Sequence, residues 1–343
     1  MAGPHVMKDP TMLAFPELSE RLTDLFGLAP ASALERLPGG YKCDNFRLEC
    51  GPDVLFLKTY KNRISHWIAQ IKAAEQFFAR QGLPVVEPIR DRFGRPMFMA
   101  GGSWHSIFPF IDSAQPQRGA IRDTTIASMG QWLGHLHRAG RTFDAGPFQR
   151  LHAWDREAFR MELIELRELV RRREHNALHN RILETLEKKS AVVESTDLTP
   201  GLLPLSYDCL LHGDFIYQNT FINTAGEVTH VFDLEKTCMG PRAYELARSL
   251  LINCFDTAWE EDDLRKGRLF LSAYRDVFPI GFDEFYHGMR MYMVGVAHST
   301  WVEGRILLGI AEPQHHELYA SHALRIEHVS DDPRDLCETL YGG

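Results

Sequence analysis

The sequence predicts an α+β fold built in two parts, because strand-type sequence is concentrated in the first third of the chain. Up to about residue 111, short runs of β-forming residues alternate with turns such as Gly51-Pro52-Asp53. Beyond that point, apolar residues recur at helical spacing over long stretches. We therefore predict two domains: residues 1–111 with a small mixed β-sheet, and residues 112–343, mainly helical.

The order of predicted elements follows from hydrophobic spacing and from the positions of glycine and proline. In the first part, helices are predicted over residues 16–27 and 63–80, and strands over 41–50, 54–60, 85–90, 97–100 and 105–111. In the second part, helices are predicted over residues 126–137, 154–173, 178–193, 243–255, 263–277 and 282–308. Between residues 210 and 234 the pattern returns to strand type, with a hairpin turn around residues 223–227.

The composition argues against several kinds of partner. The chain of 343 residues carries 38 Lys and Arg against 46 Asp and Glu, a net charge of −8, which disfavours a nucleic-acid binder that neutralises phosphates. Six cysteines without a C-x-x-C pair indicate reduced thiols. The sequence shows neither a signal-peptide pattern nor an apolar run of the ~20 residues that a membrane span needs. We expect a cytoplasmic protein without nucleic-acid or membrane partners, and its oligomeric state stays open.

Two short segments carry the chemistry: residues 212–219 read HGDFIYQN, and residues 231–235 read VFDLE. A His two positions before an Asp, with an Asn five positions after it, is the register of a kinase catalytic loop. The hairpin that follows should bring Asn219 and Asp233 together, since its strands run in opposite directions. An amide oxygen and a carboxylate suit Mg²⁺. Asp214 is then predicted to orient the acceptor hydroxyl and accept its proton.

These segments resemble the signature of the aminoglycoside phosphotransferase and choline kinase superfamily of small-molecule kinases, H-G-D-x-x-x-x-N followed by I-D-x-E. Residues 129–137, MGQWLGHLH, are similar to the family's helix ending in L-G-x-L-H, and residues 240–247, GPRAYELA, to its G-D-P-x-Y-D-L-A. The likeness runs from about residue 34 to 251. It implies a bilobal protein-kinase-like fold, ATP or GTP as donor, and phosphorylation of a hydroxyl, less often an amine, on a metabolite or antibiotic.

The chain departs from the family pattern at two places. Ile216-Tyr217-Gln218 stands where the family commonly has His-Pro-Gly, which affects the expected acceptor rather than the chemistry. Glu245 stands where Asp is usual. The resemblance implies that this acid is a structural clamp on the catalytic loop, a role that the longer side chain can also fill.

Lys58 is the predicted nucleotide-binding lysine. It ends the run Leu55-Phe56-Leu57-Lys58, the position at which a kinase fold places the lysine that contacts the phosphates. On the next helix Glu75 shares a face with apolar residues, namely Ile64, Ile68, Ile71 and Phe78. A buried carboxylate needs a cation, so we predict that Glu75 pairs with Lys58 and holds it for the phosphates. The alternatives are a solvated lysine and a glutamate that reaches water from the edge of this face.

Two further segments complete the predicted nucleotide site. Gly39 and Gly40 precede a strand, and glycine permits close approach of backbone to phosphate, although a plain turn is an equal alternative. Pro109, Phe110 and Ile111 fall at the boundary between the two parts, where adenine meets backbone in this fold. The alternative for this segment is an apolar strand end.

Taken together, the residues predict a Mg²⁺-dependent kinase with a small-molecule acceptor. An alternative from another class is a catalytically degenerate kinase fold that binds nucleotide and acts as a regulatory protein. The presence of all four expected polar residues, Lys58, Asp214, Asn219 and Asp233, disfavours it. A protein kinase is disfavoured because Asp233-Leu234-Glu235 replaces D-F-G and no A-P-E segment follows.

Overall fold

The computed structural model describes residues 15–37, 43–61, 64–151, 154–172, 176–196, 198–255, 259–328 and 332–342. The chain divides into two compact units. The first comprises Met1–Ala114 with His230–Glu235, and the second comprises Gln115–Thr229 with Lys236–Gly343. The predicted single boundary after residue 111 stays a prediction.

The first unit is a five-stranded antiparallel sheet with two helices. The strands, in the spatial order β1-β2-β3-β5-β4, are β1 (Ala31–Leu37), β2 (Cys43–Cys50), β3 (Asp53–Tyr60), β4 (Phe98–Ala100) and β5 (Ser103–Pro109). The helices are α1 (Phe15–Phe26) and α2 (Ser65–Arg80). Leu18 and Leu22 of α1 share a buried cluster with Leu48 and Leu57 of the sheet, while Ile68 of α2 packs with Cys43 and Tyr60. The apolar spacing that predicted both helices is thus explained by burial of one face of each.

Three predictions for this unit are wrong in detail. The sheet is antiparallel rather than mixed, and β1 was missed because its exposure does not alternate along the strand. Residues 85–90 form no strand. Val85 makes only an isolated parallel bridge with Val231, whose backbone also bonds to Pro84 and Val86. Pro88 cannot donate a ladder hydrogen bond, which explains why the pairing does not extend.

The second unit is mainly helical, as predicted. Its helices are α3 (Asp123–Gly140), α4 (Arg156–Arg171), α5 (Ala177–Ser195), α6 (Arg242–Cys254), α7 (Glu261–Val277), α8 (Phe282–Ala297), α9 (Trp301–Leu308), α10 (Pro313–His328) and α11 (Arg334–Tyr341). The predicted single helix over residues 282–308 is two helices, α8 and α9. Its interruption follows His298, whose ring bonds to the Val294 carbonyl oxygen at 2.9 Å in the last turn of α8. Helices α10 and α11 were not predicted from the sequence.

Short strands surround the predicted catalytic loop. β6 (Cys209–Leu211) pairs antiparallel with β9 (Cys238–Gly240), and β7 (Thr220–Ile222) forms the predicted hairpin with β8 (Val228–Val231). The loop of residues 212–219 therefore runs from the end of β6 to the start of β7. Within the described part of the chain, no helix combines the length and apolar character needed to cross a bilayer.

Candidate active site

Lys58 lies on β3 with its ammonium group between two carboxylates of the same unit. Its Nζ is 2.7 Å from Asp233 Oδ1 and 2.6 Å from Glu235 Oε1, and the residue is only 7% exposed. Burial by itself would lower the pKa of Lys58, but these two carboxylates raise it well above its ordinary value. Lys58 is therefore a buried, charged group, and the alternative of a solvated strand-end lysine is wrong.

The two carboxylates are placed by the turn that follows β8. Asp233 adopts a left-handed backbone conformation with φ of 65°, which Asp tolerates better than most residues. The next residues, Leu234–Lys236, form one turn of 3₁₀-helix anchored by the fully buried Leu234. Glu235 also accepts a hydrogen bond from Cys43 Sγ at 2.8 Å. Burial raises the pKa of the Cys43 thiol, so it stays protonated and donates.

Glu75 faces the interior as predicted, but its predicted ion pair with Lys58 is wrong. Glu75 is 4% exposed and accepts hydrogen bonds from Lys72 Nζ at 2.9 and 2.8 Å, one to each carboxylate oxygen. Lys72 lies one helical turn before Glu75, a spacing that the sequence displays and that favours such pairs. Lys58 already has two other carboxylates. The assignment of Glu75 to the nucleotide site stays a prediction.

The Lys72–Glu75 pair is buried on every side. The ammonium of Lys72 lies 4.5 Å from the ring centre of Phe108 and 5.4 Å from that of Tyr60. Burial raises the pKa of Glu75 and lowers that of Lys72, as expected for charges removed from water. The pair thus connects α2 to the sheet.

We expect Glu75→Gln to destabilise the protein by about 3–5 kcal/mol, because it leaves Lys72 buried without a counter-ion. Adding Lys72→Met should recover most of that loss. Urea unfolding of both single variants and the double variant measures the coupling. The matched control is the exposed pair Lys188–Glu327, where the same two substitutions should cost about 1 kcal/mol or less. Simple additivity at Lys72 and Glu75 would contradict the pairing.

The other predicted nucleotide contacts are not tested. Gly39 and Gly40 lie outside the described residues. Pro109 is the last residue of β5, opposite Leu55 of β3, and Phe110 and Ile111 continue beyond the sheet. Phe110 lies under the guanidinium of Arg47, 5.6 Å from its ring centre. A role for residues 109–111 in holding adenine stays a prediction.

Asp214, the predicted base, lies in the second unit between two cations. Its Oδ2 is 2.9 Å from Lys236 Nζ, and its Oδ1 accepts a hydrogen bond from the Arg248 guanidinium. Burial by itself would raise the pKa of Asp214, but the charges of Arg248 and Lys236 outweigh it and hold the pKa below its ordinary value. Asp214 is therefore ionised at neutral pH. Neither cation was predicted from the sequence: Lys236 directly follows the VFDLE segment, whereas no spacing of residues marks Arg248.

Glu245 holds the loop on which Asp214 lies. This carboxylate, 1% exposed on α6, accepts backbone hydrogen bonds from His212 at 3.0 Å and from Gly213. It also contacts His137 Nε2 at 3.0 Å. Burial opposes ionisation, but these donors lower the pKa of Glu245, so His137 Nε2 carries the proton and its Nδ1 accepts from Tyr274 Oη at 3.0 Å. The expected clamp role of Glu245 is confirmed.

Gly213 and Asn219 complete the loop. Gly213 has φ of 84°, and a Cβ atom there would lie 2.0 Å from the Lys236 carbonyl oxygen, so a side chain cannot be accommodated. Asn219 donates from Nδ2 to the Asp214 carbonyl oxygen at 2.8 Å. Because this bond uses the amide nitrogen, the amide oxygen of Asn219 is the atom that can bind a metal ion. The amide oxygen and the Asp233 carboxylate, whose side chain is 32% exposed, have the chemistry that Mg²⁺ requires. Their joint role in one metal site stays a prediction.

An antiparallel sheet with a buried lysine, together with a helical unit that carries the HGDFIYQN loop, defines a phosphotransferase of the protein-kinase-like class. Residues 33–277 match the APH phosphotransferase enzyme family, and the chain belongs to that family. It is similar to a homoserine kinase of Rhodopseudomonas palustris, with 25% identity over 271 residues, which is 79% of this chain and 78% of the relative. A homoserine kinase of Caulobacter sp. is 24% identical over 242 residues, 70% of this chain and 71% of the relative.

Solved structures show the same fold. A spectinomycin phosphotransferase, in complex with ADP and spectinomycin, aligns with a TM-score of 0.63 at 11% identity and covers 94% of this chain and 97% of that one. An amicoumacin kinase in complex with AMP-PNP and Ca²⁺ aligns with a TM-score of 0.65 at 13% identity, covering 93% and 95%. The predicted fold and superfamily are thus confirmed. The protein is a phosphotransferase with a small-molecule acceptor, and nothing supports the degenerate alternative.

Proposed function

We propose that the protein is a cytoplasmic kinase that uses ATP and Mg²⁺ to phosphorylate a hydroxyl group of a small molecule. The observation that carries this proposal is Asp214, which is kept ionised by Arg248 and Lys236 at the expected position of the catalytic loop. A carboxylate there can orient an acceptor hydroxyl and take its proton.

On the nucleotide side, Lys58 supplies a positive charge that is already desolvated. Its ammonium group forms ion pairs with both Asp233 and Glu235. When nucleotide binds, the Lys58 ammonium can contact oxygens of the α- and β-phosphates instead. The Asp233 carboxylate is then available to bind a metal ion. Asn219 and Asp233 are the proposed metal ligands, and Mg²⁺ would supply charge neutralisation on the phosphates.

On the acceptor side, Asp214 can accept a further hydrogen bond while it remains bound to its two cations. A carboxylate has about four lone-pair positions, and Arg248 and Lys236 each use one oxygen. The lowered pKa of Asp214 makes it a weak base, so we assign it mainly the positioning of the hydroxyl. This division suits a loose phosphoryl-transfer transition state, in which positioning and charge stabilisation dominate.

Homoserine is the first acceptor to test, because two relatives covering more than two thirds of the chain are named homoserine kinases. The experiment is an ATP-consumption screen with Mg²⁺ over small hydroxylated amino acids, amino alcohols, sugars and aminoglycosides. We expect acceptor-dependent ADP formation with one phosphorylated product, identified by mass spectrometry. Failure to bind Mg²⁺–ATP in calorimetry, together with no acceptor-dependent ADP formation, would refute the proposal.

A further inference from the structure

Arg325 on α10 is a buried cation without a carboxylate partner. The residue is 4% exposed, and it makes no ion pair with any residue that the structure describes. Its Nη1 donates to the Tyr292 hydroxyl of α8 at 3.1 Å, which is a neutral acceptor. Burial, followed by the like charge of Arg248, lowers its pKa from the ordinary value. A guanidinium in this position is costly unless an anion joins it.

Arg248 presents a buried donor without a hydrogen-bond partner among the described residues. Its Nη2 binds the Asp214 carboxylate, whereas its Nη1 is buried and has no hydrogen-bond partner in the described ranges. Tyr292 connects the two arginines: its hydroxyl bonds to Arg325, and its ring lies 6.0 Å from that of Tyr244, one helical turn before Arg248 on α6. Arg248 is also close enough to Arg325 for its charge to lower the pKa of Arg325, so two buried guanidinium groups share one region, and one of them binds Asp214.

His322, one turn before Arg325 on α10, lies in the same positive surroundings. Its Nδ1 is buried and finds no hydrogen-bond partner among the residues described. Burial, and then the positive charges of Lys189, Arg325, Arg248 and Lys236, lower the pKa of His322 well below its ordinary value. His322 is therefore neutral, and the positive charge of this region is carried by the arginines and lysines that act on it.

We propose that Arg325 and the Nη1 atom of Arg248 form a binding site for a carboxylate of the acceptor. Two guanidinium groups match the planar, two-oxygen geometry of a carboxylate. In this proposal Arg248 binds Asp214 through Nη2 and the acceptor's carboxylate through Nη1. Because both nitrogens belong to one guanidinium group, the hydroxyl at Asp214 and the carboxylate must be only a few bonds apart in the acceptor. The acceptor is thus a short hydroxy acid or hydroxy amino acid, and this inference rests on the proposed kinase function.

The first test is stability without ligand. If the role of Arg325 is to bind an anionic ligand, Arg325→Met should raise the Tm of the free protein by about 2 °C or more, because the substitution removes an uncompensated buried charge. A purely structural arginine would instead lower the Tm on replacement. The control is Arg305→Met on α9, a partly exposed arginine whose Nη2 bonds to the Ile310 carbonyl oxygen at 3.4 Å and whose Nε has no described partner; because its side chain reaches water, no rise in Tm is expected.

The second test is binding of matched acceptors. The probes are L-homoserine, L-serine, L-threonine and glycerate, each compared with its carboxamide by calorimetry in the presence of ADP. We expect at least one acid to bind about 100-fold more tightly than its amide. The amide lacks the negative charge that pairs with the buried guanidinium groups, and removing one partner of a buried charge pair weakens binding strongly. Arg325→Met should abolish this preference, and Arg305→Met should keep it.

Each outcome decides the proposal. The carboxylate site is refuted if the unmodified protein binds acids and amides equally, or binds none of the acids. This result needs no variant, so it does not depend on whether a variant folds. Tighter binding of glycerol phosphate than of glycerate overturns the assignment to carboxylate. Binding of Mg²⁺–ATP, measured in the same calorimeter, separates these failures from failure of the kinase function itself.

Discussion

Asp214→Asn is expected to lower kcat by about 100- to 10,000-fold while leaving ATP binding intact, because the acceptor hydroxyl loses the group that positions it. The substitution keeps the shape of the side chain but removes the negative charge that we propose faces the acceptor hydroxyl. It also leaves Arg248 and Lys236 without their shared counter-ion. Steady-state kinetics with an acceptor from the screen, and calorimetry with an ATP analogue, measure the two effects separately.

The matched control for this substitution is Asp208→Asn. Asp208 lies just before β6 and pairs with Arg141, and both side chains are about half exposed, so the change should be neutral. If Asp214→Asn retained near wild-type kcat, Asp214 would be an ion-pair partner of Arg248 and not the group that positions the acceptor.

The pH dependence of stability provides an independent check on the same carboxylate. The folded-state pKa of Asp214 lies below its ordinary value of 3.8, so the ionised group stabilises the native protein above that pH. This contribution is lost as the pH falls through the lowered value. We therefore expect wild type to be more stable than Asp214→Asn at pH 7, and urea unfolding should show the difference shrinking below about pH 4. A difference that grew on acidification would contradict the assigned sign.

The second large effect is expected at Asp233. Asp233→Asn should weaken Mg²⁺-dependent ATP binding by about 100-fold or more, since outer-sphere changes alone cost 10–100-fold at metal sites. Asn is the informative substitution because it tolerates the left-handed backbone with φ of 65°, whereas Ala would add strain. Calorimetry of ATP binding across a Mg²⁺ titration measures the loss.

Asn219→Ala is the comparison for Asp233→Asn. Water can replace a neutral amide ligand more readily than a carboxylate, so its loss of affinity should be smaller. Greater damage from Asn219→Ala would show that the ranking of the two proposed ligands is wrong. Unchanged Mg²⁺ dependence in both variants would remove these residues from the metal site.

The parts of the site that could be predicted from the sequence are those formed by residues close to one another along the chain. The HGDFIYQN loop and the hairpin after it are contiguous, so residue types and turn chemistry fix their local arrangement. Burial of Glu75 was likewise predictable, because helical periodicity assigns each residue to a face. These features require no knowledge of how distant segments meet.

The errors arise where distant segments compete for the same partner. Several acidic residues of its unit could pair with Lys58, and nothing in the spacing of residues shows that it pairs with Asp233 and Glu235 instead of Glu75. Arg248 and Arg325 were missed for a related reason. Each lies on an amphipathic helix where an arginine is usually exposed, and only packing shows that Arg325 is buried.

The first unit is assembled from two separate stretches of the chain, which affects its folding during synthesis. Its last six residues, His230–Glu235, are synthesised only after residues 115–229 have followed Met1–Ala114 out of the ribosome. Until then, Lys58 lacks both of the carboxylates that compensate its burial. A fragment that stops at residue 114 therefore lacks both of the carboxylates that pair with Lys58, and we expect its sheet to be less stable than in the whole chain.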